Sequence, residues 1–500
     1  MSELFPKMFK ASPKNWIRVH FITCTIIVAM AVLFLLPALD NGFPFVYPDT
    51  GTYLGGAGLT HIPQDRPIYY AWFTRIFDLP ILVHSSSSQT HLKGWSPWPS
   101  VVLQSLITAW MIWRFASTLF GLTAASRLLL VALLLTLGTS LPWFVGQIMP
   151  DIFTPLMILA LALLWLAHDT LPRVSRILLM LLVSAAVAFH QVNLLVALWM
   201  LPAFGLCALL GWWPSKASIY SILESGLALA LGAAALLTAN LVDGRFALSN
   251  GGSVFLLARL LEDGTAINYL EKACPQRHFA VCAQLDELSS YRPEVVTEPG
   301  CGFRRTSLAI EFLFGGPLDR LGGFRAEQSE ASAIVAGTLS AYPLEQSRAA
   351  IDNGWRQLFR FRAGEGLCAY SETEFWSTTI DNIFGPVVYN HYLKSKQIRD
   401  ALFDRFELLY YIHATVLVVS SLVLIGFLVV GGLREQPRAF FAGIFVIVLV
   451  VGNAFTLGVL SGVGDRYQTR VIWLVPLLAG CFVLERLPHL GHRKRNASSA

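Results

Sequence analysis

Charge is what this chain has least of. Asp, Glu, Lys and Arg supply 14% of its 500 residues, where soluble domains average roughly 25%. With 55% hydrophobic residues and a mean hydropathy of +0.56, that deficit excludes an ordinary water-soluble enzyme. Zinc-type CxxC pairs are missing, which argues against a metal cluster. A nucleotide-binding Gly-rich loop and an internal repeat are missing too, and no nucleic-acid partner is expected. Long apolar runs are abundant instead.

A spanning helix needs about 20 apolar residues. Ten stretches meet this, near 16–39, 100–120, 126–145, 150–168, 174–190, 192–212, 217–241, 406–432, 438–461 and 468–486. The expected fold is therefore an all-α polytopic membrane protein. Lys7, Lys10, Lys14 and Arg18 precede the first span, which puts the N-terminus in the cytoplasm by the positive-inside rule. Alternation from there gives inside segments carrying Arg127, Arg173 with Arg176, Lys216, Arg434 with Arg438, and the basic tail 487–500. The turns near 146–149 and 190–192 carry no Lys or Arg and fall outside. Both termini are thus expected in the cytoplasm, in the cell's inner or plasma membrane. The first span is too long for a removed signal and lacks a small-residue cleavage site, so it reads as an anchor.

The organisation expected is a cytoplasmic N-terminus (1–15), a transmembrane core (16–241) holding a first outer loop (40–99), a large outer segment (242–405), and C-terminal spans (406–486). In the first loop, Pro67 suits the first turn of a helix. Ile68, Trp72, Phe73, Ile76 and Phe77 share one face, which predicts a helix lying flat on the membrane. The run Ser85–Ser88 reads as an irregular link. The segment 242–405 is too long for a plain loop and predicts a mainly helical cap, with helical patterns at Val254 to Leu261 and Ser347 to Phe361. Cys24, Cys207 and Cys481 fall in spans. Cys274, Cys282, Cys301 and Cys368 fall in the outer segment, where two disulfides in any of three pairings, or free thiols, are open.

Ionisable residues at membrane depth are costly and point to function. Asp49 follows the first span, in Tyr47-Pro48-Asp49-Thr50-Gly51. Arg66-Pro67-Ile68-Tyr69-Tyr70 comes later in the same loop. Asp151 opens the fourth span, His190, Gln191 and Asn193 mark the turn after the fifth, and Asp465, Arg466, Tyr467 and Arg470 precede the tenth. All lie on one predicted face. Each has a structural alternative: Asp49 in a Pro-Asp-x-Gly turn, Asp151 at a helix N-terminus, Arg66 paired with Asp65 or Asp78, His190 and Asn193 as interfacial polar groups, and Arg466 and Arg470 as snorkelling anchors.

These motifs resemble the GT-C class of membrane glycosyltransferases, the group of the protein mannosyltransferases and the lipid A aminoarabinose transferase. Tyr47-Pro48-Asp49 is similar to its acidic residue in the first outer loop. Arg66-Pro67-Ile68-Tyr69-Tyr70 is an imperfect match to its Arg-Pro-Pro-Leu-Tyr-like segment. Asp151 stands where a second acidic residue is usual, and Arg466-Tyr467 with Pro476 matches its late Arg-Tyr and Pro-containing span. The resemblance covers roughly 16–241 and 406–486. It implies a polyprenyl-phosphate-linked sugar donor, a lipid, glycan or protein acceptor, and contact with membrane lipids. Asp49 lacks an adjacent acidic partner, so no cofactor is expected, with a divalent metal as the alternative.

On that resemblance Asp49 is the expected general base of an inverting transfer. Arg66, Tyr69, Asp151, His190, Arg466, Tyr467 and Arg470 are the expected substrate contacts. Two other classes remain open. One is an O-antigen-type polymerase or ligase, for which Arg304, Arg305, Arg320 and His278 are available. The other is a lipid or polysaccharide flippase, whose key residues would lie near the bilayer midplane.

Overall fold

The computed structural model describes residues 13–56, 62–76, 81–82, 92–93, 96–211, 216–298, 302–429 and 436–487. Lys7, Lys10, the Ser85–Ser88 link, Phe77, Asp78, Cys301, Arg434 and the basic tail beyond Leu487 lie outside them. The described chain is helical apart from two short antiparallel hairpins, Ile81–Leu82 with Leu92–Lys93 and Val295–Glu298 with Gly302–Arg305.

Six of the described helices are long and apolar enough to cross a membrane: Ile17–Asn41, Val192–Leu209, Ile219–Val242, Asp404–Val429, Pro437–Leu460 and Arg466–Arg486. The chain is therefore an all-helical, membrane-embedded protein. The four other expected spans are helical as well. They form α4 (Trp98–Phe120), α5 (Ala125–Gly138), a 3-10 turn (Pro150–Ile152) leading into α7 (Phe153–Leu166), and α8 (Arg173–Phe189). They fall outside that length-and-composition criterion, so ten spans are not established.

The shortening of α5 has a local cause. The stretch expected as one span over 126–145 breaks after Gly138 and resumes as the five-residue α6 (Leu141–Val145). Thr139 is extended, and Met149 is extended before Pro150. Pro142, in the first turn of α6, has no N–H to continue the helix from Gly138, and Pro150 disfavours the helical region for its predecessor Met149. The irregular backbone of 146–149 is buried, so its polar groups need partners. The segment after α1 (Pro13–Asn41) supplies them. Phe45 N–H donates to Gly146 O at 2.9 Å, and Ile148 N–H donates to Phe45 O at 3.0 Å. A side chain at Gly146 would lie 2.8 Å from Ala38 Cβ, so glycine permits this approach.

Beyond this bridge, α2 (Pro48–Gly56) begins with Pro48 and carries Asp49 in its first turn, where a carboxylate complements the helix dipole. The next helix, α3 (Tyr69–Thr74), is only six residues long. The expected membrane-surface face is divided. Ile68 is buried, and Phe73 packs on Phe153 and Phe189, while Trp72 and Ile76 are exposed. Tyr70 and Phe73 are the aromatic residues of α3 that pack against Phe153 of α7 and Phe189 of α8.

The described residues of the segment 242–405, expected as a cap, are mainly helical. Its core gathers Val254, Leu257 and Leu261 of α12 (Gly252–Glu262) with Phe312, Ala331 and Ile334. Cys274 and Cys282 are disulfide-bonded, with Cα atoms 5.7 Å apart, and Cys368 is also disulfide-bonded. Two anchors seat the cap on the bundle. Gln397 clasps Val46 in both directions, at 3.1 and 2.7 Å. Gln357 does the same to Gly464, at 2.9 and 2.8 Å.

Candidate functional site

Four segments distant in sequence meet where the cap joins the bundle. The Phe45–Ile148 bridge sets the first two side by side. Thr50 Oγ1 reinforces it, donating to Ile148 O at 3.1 Å and accepting from Tyr47 N–H at 3.0 Å. Asp49 and Asp151 are thereby presented to the same space. The third segment is the loop Gln64–Arg66. The fourth is the helix Arg466–Ile472, whose first backbone N–H donates to the Glu365 carboxylate of the cap.

The charged side chains form one continuous run. Arg66 contacts Asp49 at 2.8 Å and lies 3.8 Å from Asp65. Arg466 reaches the other oxygen of Asp49 at 3.1 Å and grips Asp151 with two nitrogens, Nη2 at 2.8 Å and Nε at 3.2 Å. Arg470 also reaches Asp151, at 3.2 Å, and donates to Asn453 Oδ1 at 3.0 Å. Three aspartates and three arginines thus balance, and alternation of sign makes the burial tolerable.

Exposure is graded along this run. Side chains of Asp49 and Arg66 are 18% and 16% accessible, Arg466 is 9%, and Asp151 and Arg470 are both 0%. Asp49, Arg66 and Arg466 are thus the accessible members of the run. The Asp151–Arg470 pair lies beneath and holds Arg466 in place. The Tyr47 ring completes the support, with the Arg466 guanidinium 4.0 Å from its centroid. That ring packs directly on Gly366, where any Cβ would collide with it and where φ is +73°. Only glycine suits such a position.

Electrostatics follow from this geometry. Burial would raise the Asp49 carboxyl, but Arg66 and Arg466 together outweigh it and hold it below the usual carboxylate range. Asp65 goes the other way: burial raises it, and Arg66 offsets this only in part. Burial likewise raises Glu365, against the backbone N–H of Arg466.

Most of the residues expected from sequence come together here. Asp49, Arg66, Asp151, Arg466 and Arg470 are in direct contact, and His190 is near enough for Arg470 and Asp151 to bear on its imidazole. Of the structural alternatives, the helix-start position of Asp151 is present, since it lies in the first turn after Pro150, but its carboxylate also accepts from two arginines. The anchor reading of Arg466 and Arg470 fails because both are buried. Asn193 is not an interfacial group either: fully buried, it ties α7 to α8, accepting from Thr154 at 2.8 Å and donating to Ala186 O at 2.7 Å.

Tyr69 is a correction. Its hydroxyl donates to Ala235 O of α11 (Lys216–Val242) at 2.7 Å, so it bonds to a neighbouring span and not to the charged run. The inward tyrosine of this pair is Tyr70, packed edge-on against Tyr53. Helical geometry points adjacent residues in different directions, so Tyr69 and Tyr70 face different neighbours. Tyr467 flanks the run, with the Arg470 guanidinium 6.0 Å from its ring centroid, and its hydroxyl bonds to Ser461 at 2.8 Å.

Sequence reasoning missed Asn453 and Glu365. Asn453 stands alone inside the apolar run 438–461, a visible signal of intramembrane polarity. Glu365 carries no such mark, since it sits among other polar residues of the cap. Among the described residues no group of three or more His, Cys, Asp or Glu is arranged to hold a metal; Asp49 and Asp151 face guanidinium groups. No protein-family model, curated protein or solved structure matches this chain, so the chemistry of the site itself carries the functional reading.

Proposed function

We propose that this protein is a membrane glycosyltransferase that moves a sugar from a polyprenyl-phosphate-linked donor to a hydroxyl-bearing lipid, glycan or protein acceptor on the non-cytoplasmic face. The observation that carries this reading is Asp49 bracketed by the guanidinium groups of Arg66 and Arg466 at the accessible end of a buried, charge-balanced run. Burying six charges needs a reason beyond stability, because buried ion pairs are commonly no more stabilising than well-packed apolar residues. A phosphate ligand supplies that reason. Guanidinium groups match phosphate oxygens in a two-pronged manner, and two stand ready beside a carboxylate.

The same geometry gives the carboxylate a conditional basicity. With no donor present, Asp49 is held by both arginines and is a weak base. A donor phosphate competes for their N–H groups and loosens their grip. Asp49 then accepts the proton of the acceptor hydroxyl as that oxygen attacks the anomeric carbon. The bond from that carbon to the phosphate oxygen breaks, and its electron pair leaves on the lipid phosphate. Arg66 and Arg466 neutralise the charge that develops there. Asp151 and Arg470, which are fully buried, act by fixing Arg466.

The test uses the purified full chain in lipid nanodiscs with citronellyl-phosphoryl sugars as short donors and cell-envelope extract as acceptor source. Transfer of labelled sugar is the expected result. General-base assistance is typically worth about 10²–10⁴ in rate, so Asp49→Asn is expected to lower transfer by that factor while still inserting into membranes. Undiminished transfer by a well-folded Asp49→Asn protein would remove the general-base assignment.

A further inference from the structure

Next to the charged run lies a set of buried polar groups that the proposed chemistry leaves unused. The turn beyond α8 places His190 there, and its Nδ1 has no hydrogen-bond partner. Asn250 is 5% exposed, and neither its Oδ1 nor its Nδ2 has a partner. Gln64 Oε1 is a third such group. These come from three separate segments, and the structure ties the segments together. Gln191, adjacent to His190, donates to Ser249 Oγ at 3.3 Å. Gly251, on the other side of Asn250, approaches so closely that an added Cβ would lie 3.2 Å from Gln64 O and 3.2 Å from Phe255. The Phe255 ring lies under Arg66, 5.5 Å from its guanidinium. Asn250 therefore sits in a short loop that is clamped between the His190 turn and the Gln64–Arg66 loop.

A buried polar atom without a partner costs about 1–3 kcal/mol, and native proteins keep few of them. Four such atoms, on three segments held side by side, indicate bonds completed by something else. The unsatisfied set is mixed: amide N–H donors, amide oxygens and an imidazole nitrogen. It is neutral as well, in contrast to the ions beside it. A phosphate or carboxylate would want donors only. A polyhydroxyl ring offers a donor and an acceptor at every hydroxyl, and suits this set.

We infer that Asn250, with His190 and Gln64, forms a hydroxyl-recognising subsite that seats the sugar ring of the donor beside Arg66. This rests on the donor class proposed above. It assigns the choice of sugar to the loop where the cap begins, and not to the transmembrane spans.

The experiment measures equilibrium binding to the full chain in nanodiscs. The probes are citronellyl phosphate and citronellyl-phosphoryl glucose, galactose, mannose and arabinose. Wild-type protein is expected to bind at least one sugar-bearing probe about tenfold more tightly than citronellyl phosphate, the effect of one or two neutral hydrogen bonds. Asn250→Ala is expected to bring the two to parity and leave citronellyl phosphate binding unchanged. Asn250→Asp, similar in shape but without the amide donor, is expected to alter which sugar is preferred. Because the Asn250 side chain makes no hydrogen bond to the protein, its replacement by Ala should not lower the melting midpoint. A clear drop in that midpoint would mark Asn250 as structural and overturn the inference. So would equal wild-type affinity for all five probes, or discrimination that survives in Asn250→Ala. Failure of the wild type to bind citronellyl phosphate at all would instead bring down the donor class itself, and the subsite with it.

Discussion

Arg466 does three things at once: it grips Asp151 through two nitrogens, reaches Asp49 with a third, and rests over the Tyr47 ring. A lysine ammonium is a single point of charge and cannot bridge two carboxylates in this way. Retained charge alone would make Arg466→Lys milder than Asp49→Asn. The geometry leads to a different expectation, a loss of transfer comparable to that of Asp49→Asn, read in the same donor assay. Asp151 lies deeper, and its removal is a matter of folding. Asp151→Asn leaves Arg466 and Arg470 short of one negative charge in a site without solvent, a change that typically costs about 3–5 kcal/mol. Removing one positive charge with it restores the balance. The double variant Asp151→Asn with Arg470→Gln is therefore expected to recover much of the thermal midpoint lost by the single variant, but not its transfer activity. If the double variant melts no higher than the single, the balance of charge is not what holds the site.

The helix Gly323–Ala341, which packs on α12 in the cap, makes a prediction about pH. Glu327 on this helix is 2% exposed, and its Oε1 has no partner. Burial pushes its carboxyl up to about 7, with the charge of neighbouring Glu330 adding to the effect. A folded value above the unfolded one means the fold favours the protonated form. Stability from this group is thus complete below the ordinary carboxylate range and is lost as pH rises through about 7. Glu327→Gln mimics the protonated state. The variant is expected to melt about 2–5 °C higher than wild type at pH 8, and at the same temperature near pH 4. An unchanged difference across that range would mean that Glu327 does not titrate with folding. At the same scale, the early end of α5 and the six-residue length of α3 were not legible in the sequence. Both regions read as longer helices by hydrophobic period. The irregular stretch that follows α6 is held by pairing with a segment distant in sequence, Phe45 with Gly146 and Ile148, which hydrophobic period does not report.

At the scale of the whole molecule, Lys216 and the cap lie at opposite ends of the span Ile219–Val242. Reporter fusions after Lys216 and within 270–370 are accordingly expected on opposite sides of the membrane, with the cap on the non-cytoplasmic side. The Cys274–Cys282 disulfide belongs with that placement, since disulfides persist in oxidising compartments. Thiol reagents applied to intact cells should modify Cys274 and Cys282 only after reduction. Ready labelling without reductant, or a cytoplasmic signal from the cap fusions, would reverse the orientation.

What the sequence determined by itself is the helical, membrane-embedded frame, the helical cap, and the four stretches that carry Asp49, Arg66, Asp151 and Arg466 with Arg470. Those properties are local: a long apolar run is costly to leave in water, and an ion near such a run is costly to leave in lipid, whatever the rest of the chain does. Tertiary structure decided the pairings. It set Arg466 between Asp49 and Asp151, turned Tyr69 toward Ala235, brought Glu365 of the cap to the backbone of Arg466, and left Asn250 buried without partners. Each of these depends on contacts between residues far apart in the chain, and the energy of a buried charge or amide is set by the few groups within hydrogen-bonding distance. Neighbours in sequence do not specify those groups; the packing of the cap onto the bundle does.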